Sequence, residues 1–259
     1  MTPNYEVTQD LSQNEWQTLY RGYRVTDQKP VLLKTLRHGN QAIGCGELLE
    51  REFNLLCELS LEGIPRALEL LHSGDGGCLV IEDGGGAPLS ERLITRPMEL
   101  GSFFNLAIRL STILAELHRQ NITHRNLNPR GILHNPTTGE VWLADLSLAV
   151  KAVDEIQASL PPHLLRGMLA YASPEQTGRM NRATDYRTDF YSLGVIFYEL
   201  LTGRPPFDSS DALELIHWHI AKTPAAPTDL DPKIPEPLSR IVMKLLAKTA
   251  EERYQSALG

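Results

Sequence analysis

Short apolar runs open the chain and long helical ones close it. "VLLKTL" (31–36) and "CLVIED" (78–83) are compact apolar segments bounded by turn residues, the mark of buried strands. Between them, "CGELLEREFNLLCELS" sets Leu48, Leu49, Glu52, Phe53, Leu56 and Leu59 at helical spacing. The pattern changes at Leu100. "SFFNLAIRLSTILAELHRQ" (102–120) repeats apolar residues at 103, 106, 107, 110, 113, 114 and 117, one face of a long helix, with Ser102 placed to cap it. "TDFYSLGVIFYELLTGRPPF" predicts a second apolar helix, with Thr188 near its start, Gly203 just past its end and Pro205 beyond. The glycine run in "GGGAPL" (84–89) reads as a hinge between the two halves. The layout predicts an α+β, two-lobed chain: a small β-rich lobe with one key helix over 1–83, a hinge over 84–89, and a larger helical lobe over 90–259.

Composition narrows the partners. The chain has 259 residues, 42% of them hydrophobic and 22% charged, with a net charge of −7, which suits a globular protein. The acidic balance argues against nucleic acid or an anionic membrane as the main partner. Cys45, Cys57 and Cys78 have no metal-ligand spacing; Cys57 and Cys78 lie in apolar runs and predict buried, reduced thiols, as in a reducing cytoplasm. The polar start "MTPNYEVTQD" lacks a secretory core. No apolar stretch reaches the ~18 residues of a membrane span. The longest, "LGVIFYELL" (193–201), predicts a buried helix. His217 and His219 are two apart in a helical stretch, so they do not share a face and make no metal pair.

The chemistry-bearing motifs occur in a fixed order: "VLLK", a helix bearing Glu52, "HRNLNPRGIL", "ADLS", "AYASPEQ", "TDFYSLGVIFYELLTGRPPF" and "EERYQSA". This series resembles the protein kinase superfamily, whose motifs run V-A-I-K, helix Glu, H-R-D-L-x-x-x-N, D-F-G and A-P-E. The resemblance extends from about Leu19 to Ala257. "SPEQTGRMNRATDYRTDFYSLG" is more particular and is similar to the N-terminal kinase-like domain of large bacterial signalling proteins. In those, an ATPase-like module, a GAF sensor and a histidine kinase follow. The resemblance implies a Ser/Thr-kinase-like two-lobed fold, a cytoplasmic location, ATP and magnesium as weak candidate cofactors, and downstream modules of the same polypeptide as protein partners. The helix-like pattern at Gly259 reads as the cut end of such a protein.

Residue by residue, the resemblance implies that Lys34 holds the α/β-phosphates, Glu52 orients that lysine and Asp145 holds magnesium. An ordinary ion pair tying helix to strand is the alternative for Lys34 and Glu52. Ile81 would back an adenine, with Glu82 to Gly84 along its edge. Asp189 would hold the backbone of the loop that includes Arg125, Glu175 would pair with Arg253, and Leu56, His124 and Leu146 would stack as an apolar spine. The roles of Asp189, Arg125, Glu175, Arg253, Leu56, His124 and Leu146 are structural.

Other positions depart from the family pattern. Asn126 stands in place of the catalytic Asp, and a neutral amide cannot take up a proton; general-base assistance is worth ~10²–10⁴-fold. Gly131 replaces the Asn that binds a second magnesium and has no side chain to do so. Met168 replaces a Thr hydroxyl. Ser12, Asn14 and Gln17 fall where G-x-G-x-x-G would be, and their side chains would crowd a triphosphate. Asn128 stands where most kinases have Lys, but Asn-Pro looks usual in this bacterial subfamily. Of the serines over 146–174, Ser147, Ser159 and Ser173, the last is expected to be packed. The sequence therefore reads as a pseudokinase, a regulatory or signalling domain with little or no ATP binding. Two alternatives remain: a weak phosphotransferase using Lys34, Asp145 and one magnesium, and a nucleotide-independent interaction module.

Overall fold

The computed structural model describes residues 4–14, 16–37, 45–73, 76–93, 97–152, 169–180 and 182–257. Met168 and Ser159 lie outside them. The chain contacts divide into two compact units, Met1–Pro88 with Arg130–Leu148, and Leu89–Pro129 with Ala149–Gly259.

The first unit is built on a five-stranded antiparallel sheet in the order β1-β2-β3-β5-β4. Its strands are β1 (Tyr5–Gln13), β2 (Gln17–Arg24), β3 (Pro30–Leu36), β4 (Ala67–Ser73) and β5 (Gly76–Glu82). Val31, Leu33 and Val80 alternate onto one face and pack with Tyr5. The helix α1 (Cys45–Glu58) packs against β4 and β5. Its periodicity sends Leu49, Glu52, Leu55 and Leu56 inward and leaves Cys57 exposed, while Cys78 is half-buried. The expectation of two buried thiols fails because Cys57 falls on the outer stripe of an amphipathic helix.

A second, three-stranded sheet joins β6 (Ala87–Pro88), β8 (Ile132–His134) and β9 (Val141–Leu143). This pairing draws 130–148 into the first unit, although the sequence reading assigned it to the back half. It also changes the picture of the glycine run. Arg21 donates from Nε and Nη2 to both carboxylate oxygens of Asp83, at 2.6 and 3.2 Å, and from Nη2 to the Gly86 carbonyl at 2.7 Å. Asp83 Oδ1 also accepts from the Gly85 amide at 2.8 Å. The ring of Trp142 lies so close to Gly84 that a Cβ there would sit 2.0 Å from it. A segment expected to be a loose joint is strapped to its own sheet, because a bidentate arginine and a strand pairing outweigh glycine's freedom.

The second unit is helical. Its elements are α2 (Leu89–Leu93), α3 (Leu100–Arg119), α4 (Arg187–Thr202), α5 (Ala212–Ala221), α6 (Pro227–Leu230) and α7 (Glu236–Leu245). A two-residue ribbon pairs β7 (Ile122–Thr123) with β10 (Val150–Lys151). The helix α4 is buried along most of its length, as "LGVIFYELL" predicts, and ends at Gly203 with φ +74°, which only glycine adopts without cost. On α3, Phe103, Leu106, Ala107, Leu110, Ile113, Leu114 and Leu117 are buried, and Phe103 meets Phe197 of α4 edge to face.

Two expectations about α3 change. Its N-cap is Glu99, without a side-chain cap, so Ser102 lies inside the first turn. At 20 residues and mean hydropathy 1.3, it is also long and apolar enough to cross a membrane by length and composition alone. Exposed Phe104 and Ile108 on its outer face raise the hydropathy above that of an ordinary amphipathic helix.

Candidate functional site

The first unit brings Lys34, Glu52 and Asp145 together. Lys34 projects from β3 and is 1% exposed. Its Nζ donates to Glu52 Oε1 at 2.5 Å and to Asp145 Oδ1 at 3.1 Å. Glu52, on the inner face of α1, also accepts the Leu146 amide at 2.7 Å. Asp145 follows β9 and accepts the Ser147 amide at 3.3 Å. The cluster therefore spans strand, helix and the turn after β9, with one buried ammonium facing two buried carboxyls.

Electrostatics follow from that count. Burial works against the Lys34 ammonium, but Asp145 and Glu52 more than offset it, and its pKa is held above the ordinary lysine value. For Glu52, burial dominates, Lys34 opposes it and Asp145 adds repulsion, so the carboxyl is pushed up to about 7. Leu56 and Leu146 are buried in the same unit.

The remaining front-half residues are placed as follows. Ile81 is fully buried on β5, paired with Leu32 and Ala67. The Glu82 amide donates to the Arg66 carbonyl at 2.9 Å, while its carboxylate lies 3.9 Å from Lys29 and 3.8 Å from Arg66. The β1–β2 turn contains no glycine. Asn14 Oδ1 accepts from the amides of Trp16 and Gln17, at 3.0 and 2.8 Å, and closes the turn on itself. Ser12 pairs with Leu19 in the ladder, and Gln17 is buried. Gly131 gives its carbonyl to the Ala144 amide at 2.8 Å.

The second unit builds the loop after β7. Asp189, in the first turn of α4 and fully buried, accepts from the backbone amides of His124 and Arg125, each at 2.8 Å. Its Oδ2 also meets His118 Nε2 at 2.8 Å. Arg125 has φ +64°, a conformation that costs a non-glycine residue about 1 kcal/mol or more and persists only when its surroundings demand it. They do: Gln176 Nε2 donates to the Arg125 carbonyl at 2.7 Å. His124 Nδ1 accepts the Asn126 amide at 3.3 Å. Asn128 Nδ2 donates to the Asn126 carbonyl at 2.8 Å and to Asn126 Oδ1 at 3.2 Å.

The segment 173–177 is anchored from below. Arg253 Nη1 and Nη2 donate to the two oxygens of Glu175 at 2.6 and 2.9 Å, and its remaining donors reach the carbonyls of Ala247, Arg187 and Lys248. Burial alone would raise Glu175, but Arg253 holds its carboxyl below the usual range. Ser173 is fully buried; its hydroxyl meets that of Thr188, and it donates to Gln176 Oε1 from its amide and hydroxyl. His219 is buried against Tyr191, whose hydroxyl meets its Nδ1 at 2.9 Å, while His217 is exposed. Among the described residues, no group of three or more His, Cys, Asp and Glu could hold a metal ion.

Sequence reasoning missed Gln176, His118, Asn128 as a clamp, and Arg21. Gln176 lies in "AYASPEQ", directly after the anchoring Glu175, but that motif does not mark its partner.

The fold is the α+β, two-lobed fold of protein kinases, and the chain belongs to the protein kinase family: the model described as "Protein kinase domain" matches residues 5–257. The chain is 33% identical over 263 residues to serine/threonine-protein kinase pkn2 of Myxococcus xanthus, covering 98% of this chain and 31% of that protein. It is 32% identical over 260 residues to serine/threonine-protein kinase PknL of Mycobacterium tuberculosis, covering 98% and 63%. A shorter match of 57% over 89 residues is to hybrid signal transduction histidine kinase G of Dictyostelium discoideum, covering 34% of this chain and 3% of that protein. The chain thus spans less than two thirds of the length of each of these relatives.

Proposed function

We propose that this chain is a pseudokinase domain, a kinase-fold regulatory module that transfers no phosphate. The observation that carries this reading is residue 126. In a loop whose backbone is held by Asp189 and Gln176, the position for a proton-accepting carboxylate is an amide, and Asn128 donates to its Oδ1. An amide can bond to a hydroxyl but cannot take its proton.

Family membership brings ATP and magnesium into consideration. The residues present make a poor magnesium site. Asp145 supplies one carboxylate, whose Oδ1 already accepts from Lys34 and Ser147, and Gly131 has no side chain. Triphosphate binding would rest on Lys34 alone, which is buried between two carboxyls. Nucleotide binding in this reading is weak or nil. The partners are protein modules, foremost those of the same signalling polypeptide in the cytoplasm, as the short match to a hybrid histidine kinase supports.

One observation favours a second reading, a weak phosphotransferase. Lys34, Glu52 and Asp145 are assembled, and the Myxococcus and Mycobacterium relatives are named serine/threonine-protein kinases. Incubation with radiolabelled ATP, magnesium and generic protein acceptors separates the two. No incorporation into the chain or the acceptors is expected. Labelling that disappears in Asp145→Ala would establish the second reading. A thermal shift with ATP, with and without magnesium, then distinguishes a nucleotide-binding pseudokinase from a nucleotide-independent module.

A further inference from the structure

One lysine of the second unit stands among aromatic rings and beside another cation, where a carboxylate would be the usual neighbour. Lys248 follows α7 and is half-buried. Its Nζ donates to the Trp218 carbonyl of α5 at 3.2 Å. The same atom lies 4.7 Å from the centre of the Phe207 ring and 5.8 Å from that of Tyr191 on α4. Arg253 covers that tyrosine too, with its guanidinium carbon 5.0 Å from the ring centre. The carboxylate at hand, Glu175, is taken up by both terminal nitrogens of Arg253. Among the described residues, Lys248 has no ion pair.

A lysine is made nucleophilic by desolvation or by a second cation close by, and Lys248 has both. Burial and the Arg253 charge bring its amine down to about 8 from the ordinary 10.5. The two rings attract an ammonium and work the other way, but weakly at these distances. The other titratable groups add no negative charge. His219 packs against both rings and is pulled down to about 4 by burial and by Lys248, so it is neutral. Burial raises the Tyr191 hydroxyl, which also stays neutral. Other lysines are placed differently: Lys34 is 1% exposed and held charged by two carboxyls, Lys29 lies 3.9 Å from Glu82, and Lys233 is exposed.

We propose that Lys248 is an acylation site that takes its acyl group from a small acyl phosphate. The ε-nitrogen attacks the acyl carbon, an N–C bond forms, the C–O bond to phosphate breaks, and phosphate leaves with the amine's proton. The donor is small because the Nζ is half-buried between two rings, and it brings its own leaving group, so no further reactant is needed. The amide that results keeps one N–H for the Trp218 carbonyl. It takes one of two cations away from Tyr191, and so relieves the Arg253–Glu175 pair that anchors 173–177 of a like-charged neighbour. The site lies within the second unit and does not depend on whether the chain binds nucleotide.

Treating the folded chain with acetyl phosphate at pH 7.5, then digesting it and following each lysine by mass spectrometry, tests this. Lys248 is expected to be acetylated at least about fivefold faster than Lys233, with Lys34 hardly modified. Between pH 8.5 and 9.5 the rate at Lys248 should level off while that at Lys233 rises close to about tenfold, because an amine gains reactivity only until it is fully neutral. In concentrated urea, which disperses the cluster, the two lysines should react within about twofold of each other. Three results would overturn the proposal: Lys248 reacting no faster than Lys233 in the folded chain, a rate at Lys248 that climbs with pH as steeply as that at Lys233, or a preference that survives in urea and so belongs to local sequence and not to the fold.

Discussion

Two buried polar networks, one in each unit, have kept different things. Around Lys34 the charged atoms face one another, and the Leu146 and Ser147 amides join in. Around Asp189 the charge is directed at the chain itself, at two backbone amides and His118, and the loop it shapes ends at a neutral Asn126. The first network could act on something outside the protein. The second holds a shape. An uncharged residue at 126 therefore costs the fold little, because the bonds that hold residues 124–125 run from Asp189 and Gln176 to their backbone.

The sharpest way to break this comparison is to remove each network's carboxylate. Asp189→Leu strips the acceptor from two buried amides and from His118 beneath a left-handed Arg125, and should cost about 3–5 kcal/mol in urea unfolding. Asp145→Asn keeps shape and an acceptor, and should cost less than half as much. Equal losses would mean that both networks are scaffolds.

A smaller effect separates the networks by pH. Glu52 has a folded value of about 7 against an ordinary 4.5, so between those values the folded chain holds more protons than the unfolded one. The stability tied to this group is fully present below 4.5 and falls as pH rises toward 7. Lys34→Met, which leaves two carboxyls without a cation, should therefore destabilise by about 2–3 kcal/mol at pH 8 and by clearly less at pH 5.5. Chemical denaturation at the two pH values reads the difference, and a cost independent of pH would show that Glu52 does not titrate in this range.

The smallest effect comes from changing positions 126 and 131 together. Asn126→Asp with Gly131→Asn should let magnesium and ATP raise the thermal midpoint by about 1–3 °C, while Asn126→Asp alone scarcely moves it. Neither should transfer phosphate, because Gln17 and the glycine-free turn remain. Robust transfer by the double variant would make those two positions the whole of the defect.

Much of this was legible in the sequence. Lys34 with Glu52, Glu175 with Arg253, and Asp189 with the loop backbone lie in motifs with fixed spacing, and the structure brings each to the neighbour its motif implied; Asp145, read as a metal ligand, lies against Lys34. What could not be read were bonds from polar side chains to distant backbone. Nothing in hydropathy or spacing marks Gln176 as the donor to Arg125, or Arg21 as the strap on Asp83 and Gly86, since such bonds depend on where two chain segments meet. Periodicity also left solvent-facing positions undetermined. It placed a helix at Cys57 without deciding that the thiol faces outward, and it found the buried stripe of α3 while passing over Phe104 and Ile108 on the other side.

The contact between Trp142 and Gly84 has a consequence for how this chain can change over time. A methyl group at 84 would overlap the indole ring, so a larger residue there must displace Trp142 or follow its replacement by a smaller one. Substitutions at the two sites therefore have strongly non-additive effects, and the order in which a lineage acquires them matters: an enlarged residue 84 is cheapest after residue 142 has shrunk, which works like a ratchet on residues 84–89.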